Sequence, residues 1–409
     1  MSFPRALRAL DHGDFRVFFA AQTVTVVGNW MQSVGQSWLV LQITDSPFRL
    51  GLISTFLFTP MLLFSIPAGA VADRLPKRRV VVTSALIQGA MGLTLTALVA
   101  TGAVRYWHVA AIAVVWGLVN ALDAPARQAF LVDLVGRGDV GNAIALNSAA
   151  FNAARIVGPA IAGVLIGVFG LAVAFLLNAV AGFAGALGLA SVRAAGTRAH
   201  RGDATFGQEI LEGLRYAAGT PRVRMLLGVL FVVTITIFNF SVYIPLLTRD
   251  VLGRGPGTFG LLMASLGIGA MTGALALGTA SHAEPSVPAL ATAAAVSCFG
   301  LVTLSAVTHV GIAAVVLFVV GLASIVAVAG VNTALQVMAP EALRGRVMSI
   351  YTLIFGGVFP FGAFLAGLTA ETWGVRTALA GAGTFGLIAL TAILIAGGRR
   401  AVALGGRSG

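Results

Sequence analysis

Apolar runs of similar length alternate with short polar turns along the whole chain. Six of them occupy residues 15–40, 48–72, 79–101, 108–132, 142–168 and 171–192. Six more occupy 224–248, 257–280, 287–307, 311–336, 346–369 and 375–397. A helix needs about 20 predominantly apolar residues to cross the hydrocarbon of a bilayer. The pattern therefore predicts an all-α polytopic membrane protein with twelve transmembrane helices. The break from Arg193 to Arg224 is the longest polar stretch, and its segment FGQEILEGLRYAAG sets Ile210, Leu211, Leu214 and Tyr216 at spacings that suit a membrane-surface face. The expected organisation is a six-helix bundle over 1–192, a linker over 193–223 and a second six-helix bundle over 224–409.

Polar residues inside the apolar runs are not scattered evenly. In the first helix Gln22, Thr25, Asn29, Gln32 and Gln36 recur at steps of three and four, which places them on one stripe. The fourth helix carries Trp116, Asn120, Asp123 and Arg127, the seventh Thr236, Asn239 and Tyr243, and the tenth Asn332 with Gln336. Helices 3, 6, 9 and 12 have isolated polar residues and no stripe. Such stripes line a water-accessible cavity or hydrogen-bond helix to helix, and either reading fits any single residue.

Two charges, Asp123 and Arg155, lie far from helix ends. Asp123 and Arg127 stand four apart with the acid first, the favourable order for an ion pair along one helix. Arg155, deep in the fifth helix, offers a second pairing with Asp123 across helices. An ionisable residue at this depth costs about 2.5–3.5 kcal/mol on insertion scales and marks a functional position, so Asp123, with Arg127 and Arg155, is the candidate for proton coupling.

Composition agrees with the pattern: the 409 residues are 58% hydrophobic and 10% charged, outside the range of soluble domains. The net charge of +12 does not point to nucleic acid, because the basic residues sit in short turns without interleaved aromatics. Assigning the termini and even-numbered loops to one side gives that side nineteen Lys and Arg residues, against five (Arg49, Arg105, Arg249, Arg254 and Arg376) on the other. By the positive-inside rule both termini and the linker are expected in the cytoplasm. The single cysteine, Cys298, excludes an intramolecular disulfide and a thiolate metal cluster. The N-terminus lacks a small-residue cleavage site after its apolar core, so the first helix is expected to serve as an uncleaved insertion signal.

The densest charge cluster of the first half is the turn GAVADRLPKRRVV, Gly69 to Val81. Pro76 stops one helix there, and Lys77, Arg78 and Arg79 open the next. With Gly69, Asp73, Arg74, Lys77 and Arg78 this turn resembles motif A of the major facilitator superfamily. A second segment, GNAIALNSAAFNAARIVGPAIAG, resembles the antiporter motif of drug-exporting facilitators through Gly158, Pro159 and Gly163, although Ala154 and Ala162 stand where glycine is common. Pro159 is expected to kink the helix and the glycines to permit close packing. Gly69-Ala70, Gly141 and Ala162-Gly163 recur as Gly273-Ala274, Gly345 and Ala366-Gly367, each 204 residues on. Parallel six-helix repeats are the architecture of that superfamily.

The resemblance, closest to the enterobactin and macrolide exporter group, implies alternating access and proton-coupled export of a small organic molecule, with uptake or exchange of a nutrient as the alternative. It implies that helices 1, 4, 7 and 10 line the cavity, with Gln22, Asn29, Gln32, Gln36, Asn120, Asn239, Tyr243, Asn332 and Gln336 facing substrate. It further implies that Asp73 latches onto the start of helix 11 near Arg344 and Arg346. No enzymatic activity, cofactor, metal or nucleic-acid partner is expected. The chain is expected to work as a monomer in a bacterial cytoplasmic membrane, with protons, a small-molecule substrate and the bilayer as its partners.

Overall fold

The structure, a computed structural model, describes residues 5–194, 215–279 and 286–405; the side chains at 5, 6, 65–67, 69, 70, 72, 73, 137, 342 and 397–405 lie outside the description. The predicted linker 193–223 falls largely outside it, as do Ile210, Leu211 and Leu214. Among the described residues every regular element is helical. After a short 3₁₀ turn at Arg5–Asp11 come α1 (Gly13–Thr44), α2 (Pro47–Arg74), α3 (Lys77–Ala100), α4 (Tyr106–Gly136), α5 (Gly138–Phe169) and α6 (Leu171–Ser191). Then follow α7 (Pro221–Val251), α8 (Pro256–Thr279), α9 (Val287–Ala306), α10 (Val310–Met338) and one long helical stretch, Glu341–Gly405, divided at Gly374 into α11 and α12.

Among the described residues, ten helical segments are long and apolar enough to cross a membrane. The twelve expected helices are recovered from these ten for two physical reasons. The segment Leu343–Ala396 is 54 residues long, far more than one crossing requires, and breaks at Gly374, where φ is 82° and ψ 157°. The helix α1 is not among those ten because of its polar stripe, yet at 32 residues it extends about 48 Å. The break between α4 and α5 at Gly136 has the same character, with φ 71° and ψ 175°. That backbone region is essentially restricted to glycine.

The large apolar side chains exposed around the helices fit a lipid environment: Leu187 is 74% exposed, Val168 68% and Trp373 68%. Inside the bundles, helices meet through small residues, as expected where lipid removes the hydrophobic drive between helices. A Cβ at Gly182 would lie 2.8 Å from the backbone of Gly89, and one at Gly158 would lie 2.6 Å from Trp30 Cβ. The sequence-predicted packing role of Gly158 thus falls on the α1–α5 contact.

The chain divides into two units. One carries α1–α6 together with Arg254–Ala264 at the start of α8; the other carries α7, the rest of α8 and α9–α12. Within the first unit, Pro159 and Gly163 of α5 pack on Gly260, where an added Cβ would stand 2.6 Å from Pro159 O and 2.7 Å from Gly163 Cα. A core of Phe15, Phe18, Val81, Phe130, Leu134, Ala143 and Leu189 fills one end of this unit, with Phe18 and Phe130 edge to face at 5.8 Å.

Candidate functional site

The polar stripe of α1 is held on every side. Gln22 Nε2 donates to Asn147 Oδ1 of α5 at 2.5 Å, and Gln22 Oε1 accepts from Arg127 Nη1 of α4 at 3.4 Å. Asn29 Nδ2 donates to Gln88 Oε1 of α3 at 3.1 Å. Gln32 Oε1 accepts from Asn178 Nδ2 of α6, and Gln36 Nε2 reaches the Val109 carbonyl of α4 at 3.5 Å. Gln22, Gln32 and Gln36 are buried, whereas Asn29 is only partly so. Asn29 and Gln32 therefore tie α1 to α3 and α6, while Gln22 joins α4 and α5. The receiving residues of helices 3 and 6, Gln88 and Asn178, belong to no stripe, because one acceptor or donor suffices on the receiving helix. Their signal is that each is the lone amide side chain of its helix.

The Asp123 carboxylate, 5% exposed, takes both of its oxygens to Arg127, from Nε at 2.8 Å and Nη2 at 2.9 Å. This two-pronged geometry is the strongest form of carboxylate–guanidinium contact. Thirteen residues separate Asp123 from the end of α4 at Gly136, about 20 Å. Arg155 lies seventeen residues into α5 and has no partner acid among the described residues. Asp123, Arg127, Gln22 and Asn147 form one connected chain across α4, α1 and α5. Asn120 bonds only its own helix, donating to the Trp116 carbonyl at 3.0 Å.

In the second unit α7 is not the continuous helix its pattern predicts. It runs from Pro221 to Thr236, breaks, resumes at Phe240–Leu246 and ends in a π turn at Leu247–Val251. Asn239 sits at the break and its Nδ2 accepts the role of the missing amide, donating to the Ile235 carbonyl at 2.9 Å. Side-chain competition of this kind interrupts helices. Asn239 Oδ1 is buried with no partner, and Tyr243 is 4% exposed. On α10, Gln336 Nε2 donates to Asn332 Oδ1 at 2.5 Å.

The basic turn after α2 closes helices rather than standing free. Pro76 caps α3, its carbonyl accepting from Arg79 at 2.9 Å and Val80 at 3.2 Å. Lys77 is buried at 5% exposure and pairs with Asp133 of α4 at 2.9 Å. Arg78 donates to the Ala190 carbonyl at the end of α6. Arg74 is exposed, and the Asp73 side chain and Gly69 lie outside the described set. At the same end Asp139 accepts from Arg8 at 3.3 Å and pairs with His12 at 3.0 Å, and Asp14 accepts from the backbone N–H groups of Arg193 and Ala194 at 3.2 and 2.9 Å.

An all-helical, multi-pass membrane protein with two helical units, a buried ion pair at membrane depth and amide stripes is a secondary transporter of major facilitator architecture. The model of the family described as "Transmembrane secretion effector" matches residues 5–401, and the chain belongs to that family, a branch of the major facilitator superfamily. It is 26% identical over 384 residues to the staphyloferrin A transporter of Staphylococcus aureus, covering 93% of this chain and 94% of that protein. It is 28% identical over 371 residues to the multidrug efflux pump Tap of Mycolicibacterium fortuitum, covering 88% and 90%. To the enterobactin exporter of Shigella boydii it is 28% identical over 393 residues, covering 94% and 91%. Among solved structures it resembles a bacterial homologue of the human lysosomal transporter Spinster, inward-facing and occupied, with TM-score 0.77, 14% identity and coverage of 97% and 98%. A nucleoside transporter gives TM-score 0.71 at 11% identity with 93% and 98% covered. These two likenesses concern the fold.

Proposed function

We propose that this protein exports a small organic molecule, a drug or a siderophore, out of a bacterial cytoplasm in exchange for protons, acting as a monomer with both termini in the cytoplasm. The observation that carries the reading is the Asp123–Arg127 pair. It is a titratable acid at membrane depth, and it is wired through Gln22 to α1 and α5. The named activities of the full-length relatives, siderophore transport and multidrug efflux, favour export over nutrient uptake.

In the proposed cycle, a proton arriving at Asp123 neutralises the carboxylate and loosens its hold on Arg127. Arg127 is bonded to Gln22, and Gln22 to Asn147, so the change reaches three helices that must move together when the unit rocks. Arg155, a guanidinium with no partner acid among the described residues, is available to hold a polar or anionic group of the substrate while Asp123 is ionised and held by Arg127. Substrate binding and proton loss then favour one another, and the coupling is reciprocal by linkage. Asn29, Gln32, Gln36, Asn120, Asn239, Tyr243, Asn332 and Gln336 are proposed as cavity residues. The unbonded Asn239 Oδ1 supports that role most strongly, and Asp73 is proposed as the cytoplasmic latch toward Arg344 and Arg346.

A deletion strain, with and without the gene restored, tests the direction of transport on a panel of antibiotics and siderophores. Export predicts greater sensitivity to at least one compound, or its cellular accumulation, in the deletion strain and reversal on complementation. Reduced uptake of a compound in the deletion strain contradicts it.

A further inference from the structure

We propose that the cleft between the α1–α2 turn and the α3–α4 turn binds the phosphate of an anionic phospholipid headgroup. The cleft, of about 660 Å³, is lined by Ile43, Thr44, Arg49, Arg105, Tyr106, Trp107 and residues 102–104. Two of the five basic residues assigned to that side of the chain meet here. Of the other three, Arg249 is already matched by Asp250 at 2.5 Å.

The arginines are placed by the protein rather than left to wander. The Arg49 guanidinium lies 5.5 Å from the centre of the Tyr106 ring, and the Tyr106 hydroxyl donates to the Arg49 carbonyl at 3.2 Å. A guanidinium held over a ring face keeps N–H groups with which to meet a two-oxygen anion. Arg105 caps α4, and its backbone N–H is bonded to His108 Nδ1 at 3.0 Å, which fixes the root of its side chain at the rim. Asp45, the acid nearest along the chain, ends α1 and is not among the lining residues.

The surroundings favour a lipid over a free anion. The cleft lies where α1 ends and α2 and α4 begin, and the ends of spanning helices are where a chain meets the headgroup layer. Trp107, its ring 3.7 Å from that of His108 and tilted 39° to it, is 62% exposed and presents an indole of the kind that collects at the membrane–water boundary. An arginine pair beside an exposed indole matches a phosphodiester with its glycerol and upper acyl chain. The site does not depend on the direction of transport; only the leaflet follows from the orientation proposed above.

The test compares phosphatidylglycerol with phosphatidylcholine in nanodiscs, reading bound lipid by native mass spectrometry. The wild-type protein should retain phosphatidylglycerol preferentially. The double variant Arg49→Gln/Arg105→Gln should lose about tenfold or more of that preference, while Arg254→Gln keeps it. An unchanged preference in the double variant contradicts the site, and displacement of the lipid by millimolar inorganic phosphate shows a free-anion site instead. A second readout needs no arginine variant: brominated phosphatidylglycerol should quench the fluorescence that Trp107→Phe removes more strongly than brominated phosphatidylcholine does. Equal quenching overturns the proposal.

Discussion

Lys77 at the first turn of α3 and Asp133 in the last turn of α4 form an ion pair at 2.9 Å, with side-chain exposures of 6% and 17%. A basic residue that the positive-inside rule would explain by its side of the membrane alone is thus an internal fastener. Removing one partner of a buried pair leaves an uncompensated charge and costs about 3–5 kcal/mol, whereas removing both costs far less. Lys77→Ala is therefore expected to lower thermal stability in detergent clearly, and Lys77→Ala/Asp133→Ala to recover part of the loss. Additive losses would show that the pair does not hold the two helices together.

The amide bonds from α1 to its neighbours make a separable prediction. Interhelical hydrogen bonds in membranes are worth on average about 0.6 kcal/mol and reach about 1.7. Gln32→Ala and Asn178→Ala should each reduce stability by an amount in this range, and the double variant should cost little more than either single one, because they share one bond. By contrast, Asn332→Ala and Gln336→Ala, whose residues bond side chain to side chain on one helix face, should alter the compounds transported more than the amount of folded protein. A thermal melt beside a substrate panel distinguishes the two groups.

The helix corners at Gly170 and Gly374 are related by the same 204-residue offset as the sequence repeats, and both adopt positive φ, 85° and 82°. Positions in this backbone region cost about 1–3 kcal/mol for other residues. Gly170→Ala and Gly374→Ala should therefore destabilise to a similar degree. Gly141→Ala, at a helical glycine with open space around its Cα, should be neutral. A melting series on the three variants checks this.

Much of the fold could be read from the sequence. Pro76 and the following basic run mark the α2–α3 turn, and the 3.6-residue spacing of Gln22, Thr25, Asn29, Gln32 and Gln36 puts them on one face of α1. What that face meets could not be read, because periodicity fixes a direction on a helix but not the neighbour lying there; Gln88 and Asn178 are single residues with no pattern of their own. The break in α7 was hidden for a related reason. Asn239 has the sequence signature of any stripe member, and only its bond to the Ile235 carbonyl shows it replacing a backbone amide. Two pairings were open to Asp123, with Arg127 along its helix and with Arg155 across helices, and helix geometry alone brings the i, i+4 partners together.

Proton coupling through Asp123 is tested most directly in proteoliposomes, with a compound that the sensitivity panel identifies. Two fluxes are measured on the same preparation: accumulation driven by an imposed pH gradient, and exchange of labelled for unlabelled compound without one. For Asp123→Asn the account predicts loss of gradient-driven accumulation with exchange retained, since the asparagine still bonds Arg127 but carries no titratable proton. Gradient-driven accumulation at the wild-type level by Asp123→Asn would contradict it.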